Sequence, residues 1–91
     1  MRAIVGLFAS WLQEEFPDDH VESRELDGFT RLIVWHDNSR VACLELTDES
    51  LEDHSPADLL ETLEQAHALQ RWKQQPGSRA IVCTDGTVEW L

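Results

Sequence analysis

The sequence predicts an α+β domain. It reads as an antiparallel sheet of about five strands with two helices, in the order α-β-β-β-α-β-β, filling residues 1–91 as a single unit. Three observations carry that prediction. Apolar residues recur at helical spacing in two stretches. Short segments rich in β-branched and aromatic residues lie between and after them. The dipeptides Asp27-Gly28 and Asp85-Gly86 are tight-turn signals, because glycine accepts a positive φ without steric cost.

The first helix is expected over residues 1–16, where Ile4, Leu7, Phe8, Trp11, Leu12 and Phe16 recur at offsets of three and four. Arg2 followed by Ala3 to Leu12 imitates a short signal peptide. The stretch contains Ser10 and runs straight into Gln13-Glu14-Glu15, so a helix is the better reading. Pro17 stops it, since proline disfavours helical geometry in the residue before it.

Residues 20–26 form a polar strand candidate that turns at Asp27-Gly28. The next strand, Phe29 to His36, carries Leu32 and Val34 on one face and Phe29, Ile33 and Trp35 on the other. That pattern predicts a central strand covered on both sides. After a turn at Asp37-Asn38-Ser39, Val41 to Thr47 forms a third strand with Ala42, Leu44 and Leu46 on one face.

Asp48 to His54 reads as an acidic loop. Ser55-Pro56-Ala57-Asp58 then starts the second helix: Ser55 caps, Pro56 suits the first helical position, and Asp58 complements the helix dipole. This helix is expected to run unbroken from Pro56 to about Gln74. Its stripe is Leu59, Leu60, Leu63, Ala66, His67, Leu69 or Gln70, and Trp72, and Pro76-Gly77 ends it. Arg79 to Thr84 and Thr87 to Leu91 are the last two strands of an antiparallel meander.

This element order, with the small size and acidity, resembles that of small acidic bacterial chaperones of secreted effectors and their YbjN-like relatives. The resemblance implies an α-β-β-β-α-β-β core and a dimer. Those families add a further helix that this sequence does not show, and the resemblance carries no site residues.

Eighteen Asp and Glu against seven Lys and Arg leave a formal charge of −11. Such a chain repels phosphates, which argues against direct nucleic-acid binding and against an anionic membrane surface. Cys43 and Cys83 sit in apolar runs with no CxxC pair, as buried free thiols do; a reducing, cytoplasmic compartment follows. The four histidines show no metal-ligand spacing, and no GxSxG, GxGxxG or Walker pattern is present. No catalytic residue, cofactor or metal is therefore expected, and the chain reads as a non-enzyme.

Two features point to a partner. From Asp48 to Glu64 there are carboxylates at Asp48, Glu49, Glu52, Asp53, Asp58, Glu61 and Glu64 and no Lys or Arg, with Asp58, Glu61 and Glu64 on one helix face. Trp90 lies on a terminal strand, where an exposed tryptophan marks an interface and an open edge can pair with a second copy. The leading expectation is a protein-interaction module and homodimer that binds a partner protein, for which a basic surface is the natural complement. One alternative is a DNA-mimic inhibitor of a basic nucleic-acid-binding protein, which requires carboxylates ordered along one face. The other is a small enzyme or ligand binder assembled from distant residues such as His36, His67 or Cys43 around a concave pocket.

Overall fold

The computed structural model describes residues 3–91. The first helix, α1, spans Ala3–Glu15; the first two residues of the expected stretch lie outside the described residues. Val5, Phe8 and Leu12 are fully buried, and Ile4, Trp11 and Phe16 pack at the edge of the same core. Leu7, expected on this stripe, points outward and is 53% exposed. At the C-terminal end the Gln13 side-chain amide donates to the carbonyls of Phe16 (3.1 Å) and Asp19 (2.9 Å), tying the turn at Pro17 to the helix it follows.

Three antiparallel strands come next: β1 (His20–Leu26), β2 (Phe29–His36) and β3 (Ser39–Thr47). Leu26 pairs with Phe29 across the two-residue turn, where Gly28 takes φ +85°, as the Asp-Gly signal requires. A bulge at Val34/Trp35 places Val34 opposite Ala42 and Trp35 opposite Arg40, leaving Val41 as the extra residue.

The segment expected as an acidic loop is largely a helix, α2 (Asp48–Asp53). Thr47 caps it, its hydroxyl oxygen accepting the Ser50 N–H at 3.2 Å while the Ser50 hydroxyl donates to the Thr47 carbonyl at 2.8 Å. Six residues cannot hold a helix on propensity alone. Burial of Ser50 and Leu51 against the core holds this one in place.

Helix α3 (Pro56–Gln65) starts as the sequence predicts, with the Ser55 oxygen accepting the Asp58 N–H at 3.1 Å. It does not continue to Gln74. The chain breaks at His67, which adopts the left-handed conformation (φ +54°), and resumes as α4 (Ala68–Gln74). The buried positions explain the break. Leu59 and Leu63 lie four apart, as do Ala68 and Trp72, but five residues separate Leu63 from Ala68. In one straight helix that step would turn the second pair well away from the core. The kink re-aims it, and His67 is left exposed instead of on the stripe.

Strands β4 (Arg79–Val82) and β5 (Val88–Trp90) finish the sheet, shorter than expected, in the order β1-β2-β3-β4-β5. β3 and β4 are parallel, so the expected all-antiparallel meander is a mixed sheet with one parallel pair. Among the described residues four helices, not two, give the order α-β-β-β-α-α-α-β-β, and the order on which the chaperone resemblance rested is not the one observed. The cause is the helical crossover over residues 48–74: a connection of this kind carries the chain back to the start of the sheet, where the next strand pairs parallel.

All four helices contribute to one core cluster with Leu32 and Val34 of β2, Ala42, Leu44 and Leu46 of β3, and Ala80 and Val82 of β4. The alternate side chains, including Phe29, Ile33 and Trp35, belong to the other face and take no part in that cluster. The prediction that β2 is covered on both sides is therefore corrected: this is a two-layer structure, helices on one side of the sheet and none on the other.

Candidate interaction surfaces

The open sheet face is ordered by register. One row runs Arg24, Arg31, Glu45, Ile81, Glu89 across the five strands, and the next runs Glu22, Ile33, Cys43, Arg79. Glu45 is the centre. Its side chain is 8% exposed; Arg31 Nε donates to Oε2 at 3.0 Å, and Arg79 Nε lies 3.7 Å from Oε1. Arg79 Nε is itself buried and has no partner within hydrogen-bond range, so the second contact is coulombic. Arg31 also stacks over Phe29, its guanidinium carbon 5.6 Å from the ring centroid. Ile33 and Cys43, in the neighbouring row, are buried although they lie outside the helix-side core cluster. Burial raises the Cys43 thiol pKa, and Glu45 adds to the rise. Cys83 is only partly buried; desolvation and then Glu89 raise its pKa too.

The acidic residues lie on the other layer. Glu49, Glu52, Asp53, Asp58, Glu61 and Glu64 are all exposed on α2 and α3, and Asp48 is half-buried at the start of α2. Each helix is capped by a hydroxyl, so Glu49 and Asp58 in the first turns are not the caps and stay exposed. α2 and α3 carry no Lys or Arg, whereas α4 in the same layer carries exposed Arg71 and Lys73. Arg24, Arg31 and Arg79 belong to the open sheet face. One-signed charge is thus confined to α2 and α3, while the sheet face mixes both signs in pairs that only strand register brings together.

Trp90 is not a free edge tryptophan. It is half-buried on the helix side of β5, edge-on to Trp72 with centroids 5.7 Å apart, and the Arg71 guanidinium covers its ring at 4.6 Å. Trp72 in turn meets Trp11 at 6.4 Å and donates its indole N–H to the Ser78 carbonyl at 2.9 Å. Three of the four tryptophans therefore form one chain through the core rim, and Trp35 is the one that lies on the open face.

The residues considered for a distant-residue site are not brought together. His36 sits at the end of β2 with Nδ1 2.6 Å from Asp19 Oδ1; this hydrogen bond, with the charges of Asp19 and Asp37, raises its pKa. His67 lies in the helix layer and lines an open, polar hollow of about 230 Å³ with Gln70, Arg71, Gln74 and Gln75. Cys43 is on the opposite face of the sheet. Among the described residues no three His, Cys, Asp or Glu side chains gather as a metal-ligand set, and no helix is long and apolar enough to cross a membrane. Compared with protein-family models, with curated proteins and with solved structures, the chain finds no match in any of the three.

Proposed function

We propose that this chain is a non-enzymatic protein-interaction module whose α2–α3 layer binds a basic surface of a partner protein. The observation that carries the reading is the one-signed charge of the α2–α3 surface. Exposed carboxylates concentrate on two successive capped helices that carry no Lys or Arg, while the three arginines of the sheet face lie against Glu22 and Glu45. A solvated surface needs charge but not sorting. Sorting builds a one-signed field that steers a basic partner and fixes its orientation.

The test is co-purification from a lysate of the source cells, with the native chain compared against E49Q/E52Q/E61Q/E64Q. The native chain is expected to retain a stoichiometric protein that elutes as salt rises toward about 0.5 M, since screening weakens such contacts. The binding should be rebuilt from the two purified components and lost with the neutralised variant. Equal retention by both chains, or no stoichiometric protein at all, overturns the reading. If the retained protein binds DNA and duplex DNA displaces this chain, the partner class is the one a DNA mimic would take.

A further inference from the structure

The open sheet face carries an inference about self-association. Its two central rows hold three arginines (Arg24, Arg31 and Arg79) and three glutamates (Glu22, Glu45 and Glu89), so these rows are neutral in a chain whose formal charge is −11. Two copies of so acidic a chain repel each other, and the repulsion is weakest where neutral faces meet. A partner of one strong sign gains nothing from such a face. The charges therefore favour a second copy as its occupant.

Apolar surface is also left over here. Of the three large hydrophobic side chains that are exposed among the described residues, Leu26 and Leu91 fall on this face, Leu26 paired with Phe29 and Leu91 with Arg79. Phe29, Trp35 and Ile81 are half-buried on it.

The pattern of the two rows is self-complementary. A two-fold axis crossing the strands midway between them lays the Arg24–Glu89 row of one copy on the Glu22–Leu91 row of the other. Arg24 then meets Glu22 of the second copy, twice over. Arg31 meets Ile33 with Glu22 beside it, and Glu45 meets the Cys43 thiol. Arg79 meets Ile81, flanked by Glu45 and Glu89 of the other copy. Arg31 and Arg79 share the single Glu45 carboxylate within one chain, and the pairing brings a further anion to them. No like charges are superposed. One row outward, Trp35 falls on Phe29, an aromatic pair. A two-fold along the strands through β3 would instead set Glu45 against Glu45. Packed sheets are rotated by about 30°, a displacement that long Arg and Glu side chains can span.

The area is sufficient. Each strand residue occupies about 3.3 by 4.8 Å of sheet, which gives a footprint of roughly 500 Å² per copy over the five strands. Two such faces bury about 1,000 Å², the size from which specific interfaces begin.

We propose that two copies pack open face to open face about this axis, making a four-layer dimer with the sheets inside and the helices outside. The α2–α3 carboxylates lie on the outer layers, so either surface can fail its test without the other.

The experiment is solution mass by light scattering across a dilution series, with folding checked by circular dichroism. The native chain is expected to be dimeric. E22R and R24E, alone, each set like charges across the axis twice and should weaken the dimer by roughly tenfold or more. An equimolar mixture of the two should recover it, because each face then complements the other. I81E places a charge inside the interface on β4 and should yield a folded monomer. I81T keeps the β-branched shape, tests the same position should I81E fail to fold, and should weaken the dimer about tenfold. A native monomer at about 100 μM, against the nM–μM affinities of specific interfaces, overturns the proposal. So does a dimer indifferent to both Ile81 variants, or a mixture that fails to recover.

Discussion

At the scale of single residues, backbone conformation and one histidine pair make the sharpest expectations. His67 is held at φ +54°, where a side chain costs about 1 kcal/mol and glycine almost nothing. Its ring is exposed, so H67G loses little packing and is expected to stabilise the domain by about 1 kcal/mol in urea titration. Gly86 is the reverse case. It sits at φ +84°, and an added Cβ would lie 3.1 Å from the His54 ring, whose Nε2–H donates to the Thr84 carbonyl. G86A should therefore lower stability and loosen the β4–β5 turn. The His36–Asp19 pair has a signed pH dependence. Because the folded-state pKa lies above the ordinary 6.5, protonation favours the folded state. The contribution is complete below the unfolded value and is lost as pH rises through the folded one. D19N should move the His36 NMR titration down toward 6.5 and flatten stability across that window.

At the scale of elements, the helix layer is assembled from short pieces whose starts matter more than their propensities. Loss of the Ser55 cap in S55A is expected to cost about 1 kcal/mol, as N-cap deletions do. T47A should cost a similar amount, and because α2 has only six residues, hydrogen exchange should accelerate throughout Asp48–Asp53 and not at its end alone. The start at Ser55-Pro56 was legible because capping chemistry is local in sequence. The start at Thr47 used the same chemistry, with Ser50 three residues on, but was masked by the run of carboxylates that suggested a loop. The break at His67 also left a trace, the five-residue step from Leu63 to Ala68. It was hidden because Ala66 and Leu69 supply apolar residues that bridge the gap in a single stripe.

At the scale of the whole molecule, net charge and layering act together. A net charge of −11 on a chain with a Cα radius of gyration of 11.9 Å is self-repulsive, and one layer carries much of the excess. The melting temperature is therefore expected to rise between about 10 mM and 150 mM NaCl as the Debye length falls to about 8 Å. A fall instead would show that attractive pairs such as Glu45–Arg31 dominate the balance. Of the surfaces expected from sequence, the carboxylates were visible as a run. The pairing of the sheet-face arginines was not, since Arg31 and Arg79 are brought to Glu45 only by strand pairing across the sheet.

The division between the two sources of information follows the range of the forces involved. Sequence by itself determined the α+β class, the three-strand meander at its start, the Asp-Gly turns, the cap at Ser55 and which alternate residues of β2 and β3 share a face. All of these rest on φ preferences, hydrogen bonds a few residues apart and side-chain periodicity. Only the tertiary structure decided that β4 lies parallel to β3, that Asp48–Asp53 is a helix, that the crossover kinks at His67, and that one sheet face is open. Those outcomes depend on which apolar surfaces find each other across the chain. An amphipathic pattern records that a face must be buried, but not against what, nor in which direction the chain returns to do it.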